Sequence, residues 1–516
     1  MLGDRILHVI SDLHLGGLYG RGPGDRGFRM CTQVGSLQRY VEHITAAERP
    51  AGRGLELVIN GDFIDFLAEG TAGGWKPVIF SPSEAVAKLD AIVRRDQGFF
   101  DALGKLLAAG HALTVLLGNH DVELAYPAVE AAIRRHLGVT AASAFTFIRD
   151  GEPYVVGDAL IEHGNRHDGF NRIDHRALTE ACAMQARGES TEDGPFQAPP
   201  GSRLVAFVMN PIKAQYPFVD LLKPETGSVL PILAALAPSV RWKIPQVLWL
   251  KAQASLRRDV AARAGAGDDD DDGGFRGADI AAGEQGDGDE GPVRRAGRGR
   301  RRKSAHEREE DALRALLVES MGAAGAETFL RELAAADPPA AASGGQGNES
   351  EDEDGSPMRG RDIASPSGHI LRLLASVDPR GLKARLPALL DALRIVQKDA
   401  SFDVGVETEE DYQKAAQAHA DRGHRHVVFG HTHLAKCLPL EGGATYLNTG
   451  TWADLIAFPK EILLPDATQA QAELWSFVDD LENGQLQKHI RFQPTYARLD
   501  LGGEKVARAD LCFWKE

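Results

Sequence analysis

Five short polar motifs, each following an apolar run, constrain this chain more than any other feature. They are Ser11-Asp12-Leu13-His14, Gly61-Asp62-Phe63-Ile64-Asp65, Gly118-Asn119-His120-Asp121, Glu162-His163-Gly164-Asn165 and Gly430-His431-Thr432-His433. In layered α/β folds, ligands bind beyond the carboxyl ends of the strands. Five strand ends that carry such residues therefore predict one shared site, assembled from positions 12 to 433.

The stretches that hold the motifs differ in kind from what lies between them. Residues 1–180 alternate short apolar runs with helical spacing: 6–10, 55–60, 112–117, 145–148 and 159–162 read as strands. Residues 82–107 read as a helix opened by Ser81 and a proline at its first position. Strands return in 411–516, at 426–429, 445–448, 473–478, 488–492 and 497–501. Such alternation predicts an α/β core made of these two segments. Between them, 181–264 reads as a helical insertion or cap, 306–337 as a helical segment and 368–410 as a second helical insertion. The linkers 265–305 and 338–367 carry too few apolar residues to offset their ordering entropy and are expected to be disordered.

Composition narrows the function classes. The 516 residues amount to three or four domains at about 150 residues each. With 74 acidic against 58 basic residues the net charge is −16, so a free-standing basic groove for nucleic acid is not expected. The basic run at 294–303 sits in acidic, flexible sequence and reads as a solvated polyampholyte. Cys31, Cys182, Cys437 and Cys512 lie too far apart for a zinc knuckle or a redox pair and suit a reducing compartment. No signal-peptide pattern and no run of about 18 apolar residues occurs. A cytoplasmic protein without a transmembrane segment is the expectation, with peripheral membrane contact left open.

The donors in the motifs are Asp12, His14, Asp62, Asn119, His163, His431 and His433. Carboxylate, amide and imidazole without thiolate suit manganese, iron, magnesium or zinc rather than copper or an iron–sulfur cluster. The spacings D-x-H and H-x-H put both side chains on one side of an extended chain. Glycines before Asp62, Asn119 and His431 permit close backbone approach. Plainer readings apply elsewhere. His8, His43, His111 and His136 read as surface or capping residues, His424 and His426 as core or edge positions, and Asp121 as a helix cap. Arg166 is a candidate phosphate clamp. His167, Asp168, Asn171, Asp174 and His175 read either as substrate contacts or as turn chemistry after a strand end.

The ordered set resembles the calcineurin-like metallophosphoesterase family, whose pattern is DxH, GDxxD, GNH[DE], a later His and GHxH. The resemblance covers the first and last segments and leaves the middle uncovered. It implies a layered α/β/β/α sandwich of the metallo-dependent phosphatase type, interrupted by a long helical and partly disordered insertion. It also implies two divalent metal ions, manganese foremost, with iron, zinc or magnesium as alternatives. By this resemblance Asp12 and His14 bind the first ion, Asp62 bridges both, Asn119 and His163 bind the second, and His431 and His433 join the second and the first respectively. His120 then faces the substrate phosphate and leaving group, oriented by Asp65. The implied reaction is in-line attack by a metal-bridging hydroxide on a phosphate ester or pyrophosphate bond.

Within that family, 10–15, the GHTH motif and a helical insertion after His163 look most like the UDP-diacylglucosamine pyrophosphohydrolases of lipid A synthesis. That branch has arginine at the position of His120 and a far shorter insertion. The expected partner is thus a phosphorylated small-molecule or lipid-linked substrate. Segment 203–250 reads as a cap for it, or as a helical subdomain burying its own face. A nuclease of the same fold and a non-catalytic scaffold are the alternatives; the acidic balance argues against the first and the complete donor set against the second.

Overall fold

Arg5–Ile10 (β1) is buried on both faces from Ile6 onward, as a central strand of a covered sheet must be. The remaining strands are Leu15–Gly16 (β2), Gly54–Asn60 (β3), Ile64–Asp65 (β4), Ala112–Leu116 (β5), Phe145–Ile148 (β6), Tyr154–Val156 (β7) and Ala159–Ile161 (β8). They are followed by Leu222–Lys223 (β9), His426–Phe429 (β10), Ala435–Pro439 (β11), Thr445–Thr449 (β12), Leu455–Ala457 (β13), Ile490–Arg491 (β14), Thr495–Gly502 (β15) and Lys505–Phe513 (β16). This computed structural model describes residues 4–17, 29–49, 53–70, 74–191, 194–213, 221–223, 390, 401–483, 485–503 and 505–516. The linkers expected at 265–305 and 338–367, the helical segment at 306–337, and most of 203–250 and 368–410 lie outside these residues. By its contacts the chain divides into a unit of 1–247 with 345–516 and a unit of 248–344, the latter wholly outside the described residues.

The architecture is mixed α/β. A six-stranded sheet runs β16-β15-β1-β3-β5-β6 and a five-stranded sheet β11-β12-β10-β8-β7, with two small sheets, β14-β13-β9 and β2-β4. In the larger sheet β1, β3, β5 and β6 are parallel, while β15 and β16 close the edge antiparallel. In the other, β8, β10 and β12 are parallel and flanked by antiparallel β7 and β11. β15 alternates buried and half-buried positions along Thr495–Gly502, the pattern of an antiparallel strand with one core face.

Leu7, Val9 and Val58 of the six-stranded sheet share one apolar cluster with Ile161, Val428 and Leu447 of the five-stranded sheet. The opposite face of the larger sheet, with Leu57, Ile59 and Val115, is covered by helices Val34–Ala46, Pro82–Arg95, Gln97–Ala108 and Pro127–His136. Helix Glu410–Asp421 lays Tyr412 and Ala416 against Val427 and Phe429 of the other sheet. Each fully buried aliphatic or aromatic side chain in these clusters contributes about 1.5–3 kcal/mol. Among the described residues no helix is long and apolar enough to cross a membrane.

Several elements depart from the expected ones. The helix read over 82–107 is two helices: Ser81 caps the first, and the chain breaks at Asp96, whose carboxylate takes Arg29 at 2.6 and 2.7 Å. The strand read at 473–478 lies inside helix Ala467–Glu482. There Asp466 accepts from the amides of Thr468 and Gln469, and Ala470, Leu474, Phe477, Val478 and Leu481 are buried at helical spacing. The strand read at 488–492 shrinks to Ile490–Arg491. His8 is buried, with Nδ1 2.8 Å from the Tyr40 hydroxyl and its ring stacked on Tyr496.

Candidate metal centre

The parallel strands end where the motifs begin. Asp12 and His14 follow β1, Asp62 follows β3, Asn119 lies just past β5, His163 follows β8, and His431 and His433 follow β10. The first two loops are zipped together: the Asp12 amide donates to the Gly61 carbonyl at 3.2 Å, that of His14 to Asp62 at 2.9 Å and that of Leu15 to Phe63 at 3.1 Å. The short β2–β4 pair continues this contact to Asp65. The carboxylate of Asp121 ties the third loop to the second by accepting from the Gly118 and Phe63 amides, each at 2.7 Å. It is therefore a loop clamp and not the helix cap expected, since Val122–Ala125 has no side-chain cap.

Among the described residues, those other than glycine with positive φ are Asp12, His14, Asp62, His431 and His433. A left-handed conformation costs such a residue about 1–3 kcal/mol and persists where the surroundings over-determine it. All five belong to the donor set read from the sequence.

The donors converge into two groups that share one residue. Asp12, His14, Asp62 and His433 offer ligand atoms within 4.8 Å of one another, as do Asp62, His163 and His431. Asp62 Oδ2 lies 3.7 Å from His14 Nε2 on one side and 3.3 Å from His163 Nε2 on the other. His433 Nε2 is 2.9 Å from His14 Nε2 and 3.4 Å from Asp12 Oδ1. Asp12 Oδ1, Asn119 Oδ1 and His163 Nε2 are buried without a hydrogen bond of good geometry, although His433 Nε2 lies 3.4 Å from the first and Asp62 Oδ2 3.3 Å from the third. A buried polar group without a well-formed hydrogen bond costs about 1–3 kcal/mol, and a bound cation would satisfy all three.

Partners on the far side of the rings fix which nitrogen faces inward. His14 Nδ1 lies 3.3 Å from Asp65 Oδ2, His163 Nδ1 is 2.8 Å from the Asn60 carbonyl, and His431 Nε2 is 3.3 Å from Asp168 Oδ2. Metal-ligating histidines characteristically give their second N–H to a carboxylate or a backbone carbonyl. The carboxylates are held too. Asp12 Oδ2 takes the His431 amide at 2.9 Å and the Ser11 hydroxyl, and Asp62 Oδ1 takes the His120 amide at 2.8 Å.

Electrostatics follow from burying so many charges together. Burial alone would raise the Asp12 carboxyl, but contact with His433 and the charge of His163 outweigh it and bring the pKa down to about 2. Asp62 is likewise held well below the usual carboxylate range, against burial, by His163, His120 and His14. Burial disfavours the charged His163 ring, yet Asp62 and Asp12 push it up to about 10. His433 is lowered to about 4 by burial and by the charge of the buried Lys223. Burial and the neighbouring Asp62 raise Asp121 to about 7.

His120 stands at the rim, its side chain 17 % exposed, with Nδ1 3.2 Å from Asp65 Oδ1. Burial opposes its charge, but Asp65 and Asp62 outweigh it and raise the pKa to about 9. Asp65 thus serves two rings, His14 and His120, and the first of these contacts the sequence reading did not foresee. Of the candidate substrate contacts, Asn171 meets Asn119, whose Nδ2 donates to Asn171 Oδ1 at 3.4 Å. Arg166 and His167 instead turn onto Glu162, at 3.3 and 2.6 Å, and Arg166 also donates to the Gly151 carbonyl. Lys213 and Lys223, both buried, place positive charge on His120 and His433 and carried no motif signal. Comparison with family models, with curated proteins and with solved structures finds no match to this chain.

Proposed function

We propose that this chain is a calcineurin-like metallophosphoesterase, a dinuclear hydrolase of phosphate esters or pyrophosphate bonds. The observation that carries this reading is Asp62 Oδ2, set between His14 Nε2 at 3.7 Å and His163 Nε2 at 3.3 Å, where a carboxylate shared by two ions belongs. Asp12, His14, Asp62 and His433 would hold one ion, and Asp62, Asn119, His163 and His431 the other. The layering of helices and two face-to-face sheets fits the sandwich of the metallo-dependent phosphatase type. Oxygen and imidazole donors without thiolate favour manganese, iron, zinc or magnesium.

When bound, such a pair of ions supplies Lewis acidity to phosphoryl oxygens and acidifies water. The chain's own groups account for the rest. Asp65 holds His120 through Nδ1, which leaves Nε2–H to donate a proton to the departing oxygen. Asp65, Asp62 and the buried surroundings keep that ring aligned and charged. Phosphorylated small molecules or lipid-linked phosphates are the proposed substrates. A cytoplasmic setting accords with four unpaired cysteines.

The test is hydrolysis with added Mn²⁺ across a phosphomonoester, a phosphodiester, a nucleotide pyrophosphate and single-stranded DNA, for wild type and Asp62→Ala. Turnover of at least one substrate, abolished in Asp62→Ala, is expected. Hydrolysis of none of them, or equal rates in both proteins, would overturn the reading.

A further inference from the structure

The loop after His163 is built more firmly than a passing connection needs. His167 Nε2 contacts Glu162 Oε1 at 2.6 Å and its ring stacks on Phe429. Asn165 Nδ2 donates to the Asn171 carbonyl at 2.9 Å, and Asp168 Oδ1 accepts from the Phe170 amide at 2.8 Å. Gly201 closes over the loop so tightly that a Cβ there would stand 2.1 Å from Asn171 Oδ1.

What this framework presents is a pair of side chains, Asp168 and Asn171, joined by Asn171 Nδ2 donating to Asp168 Oδ2 at 2.7 Å. One end of the pair meets His431 Nε2 at 3.3 Å; the other accepts from Asn119 Nδ2 at 3.4 Å. With Nε2–H given to Asp168, the His431 lone pair lies on Nδ1. With its amide nitrogen given to Asn171, Asn119 keeps its Oδ1 oxygen, buried and without a partner, for the site. Both contacts fall on ligands of one ion only, the one shared by Asp62, Asn119, His163 and His431.

We infer that Asp168 and Asn171 form a brace that sets the affinity of this second ion position by orienting His431 and Asn119, while the first position is set by Asp65 and Ser11. The inference rests on the two-ion reading above. Asp168 and Asn171 are positioning residues, and their expected effect is on ion affinity at one position, since outer partners of metal ligands typically affect binding about 10–100-fold.

The experiment titrates metal-depleted full-length protein with Mn²⁺ and follows free and bound ion by electron paramagnetic resonance, with thermal melting in chelator as a control for folding. Wild type should take up two ions and develop the signal of a coupled pair. Asp168→Ala and Asn171→Ala should each bind one ion with wild-type affinity and the other 10–100-fold more weakly, with unchanged melting in chelator. Asp168→Asn keeps the side-chain shape and covers the case in which alanine does not fold. Unchanged affinity at both positions, equal weakening of both, or loss of the fold in chelator for every variant would overturn the brace. Fewer than two ions in the wild type would overturn the two-ion reading itself, and the brace with it.

Discussion

The Nε2 atoms of His14 and His433 face each other at 2.9 Å, a separation that two neighbouring ligands of one cation can adopt. Burial and Lys223 lower the His433 pKa to about 4, so near neutral pH the ring is a neutral imidazole with one nitrogen lone pair open to a ligand. The Nδ1 side of His14 is already turned to Asp65. A cation that took both Nε2 lone pairs would hold the two rings at this separation, with Asp12 and Asp62 supplying the compensating charge. Metal should therefore stabilise the fold: ion at 100 times its dissociation constant adds about 2.7 kcal/mol per site. Thermal melting in chelator against Mn²⁺ should show a rise of several degrees. An identical transition in both would remove the cation from this account.

His120 differs from the proposed ligands in lying outside both donor groups, at the rim with its side chain 17 % exposed, and substitution should separate the two roles. His120→Ala is expected to lower turnover by about 10²–10⁴-fold while Mn²⁺ stoichiometry stays at the wild-type value. Elemental analysis of the purified variant decides the matter. Loss of metal equal to that in Asp62→Ala would place His120 among the ligands.

The pH profile should carry the signature of Asp65. The Asp65 carboxylate stabilises the imidazolium of His120, so the ring is charged below its pKa, raised to about 9, and neutral above it. A proton donor of this kind gives activity that falls as pH rises. Replacing the carboxylate removes the stabilising charge and lowers the pKa, so in Asp65→Asn the alkaline limb of kcat should move to lower pH. An alkaline limb unmoved in Asp65→Asn, with turnover retained, would detach Asp65 from this role.

How far the sequence discloses this arrangement depends on how local the signal is. The donor set was legible because each member follows an apolar run within a few residues, and strand ends in an α/β fold gather at one edge. Asp168 was not assigned to His431, because their contact spans positions 168 to 431 and nothing in the loop marks it. Asp121 looked like a cap since a helix follows it, yet its two oxygens are taken by amides of two loops. Residues 473–478 mimic a strand in a six-residue window, and only the sixteen-residue helix shows the true period. β16 was missed because burial along Lys505–Phe513 is partial and its charged residues hide the alternation.

His8 makes stability depend on acid independently of the metal centre. It is 8 % exposed, bonded to Tyr40, and burial with the charge of Arg498 lowers its pKa from 6.5 to about 4. The unfolded chain therefore binds the proton first as pH falls, and its contribution to stability is present above pH 6.5 and lost between there and about 4. The loss amounts to about 3 kcal/mol. Urea unfolding of metal-free protein at pH 7 and pH 4.5 should show a smaller difference for His8→Phe than for wild type. An equal difference in the two proteins would clear His8 of this effect.

Gly118 supplies a steric test of the same centre. A Cβ at this position would stand 2.1 Å from Asp62 Oδ1 and 2.3 Å from the Asp62 amide nitrogen, distances that no side chain can occupy. The Gly118 amide is also held by Asp121, so the loop cannot swing away without releasing that clamp. Gly118→Ala must therefore push Asp62 off the line between His14 and His163. The expected result is a protein that melts within a few degrees of wild type in chelator, since the apolar clusters are untouched, but binds fewer than two Mn²⁺ and turns over poorly. Gly110→Ala, where a Cβ meets nothing within 4 Å, controls for a glycine-to-alanine change that does not press on Asp62. If both variants lost metal to the same degree, close approach of Gly118 to Asp62 would not be what keeps the shared carboxylate in place.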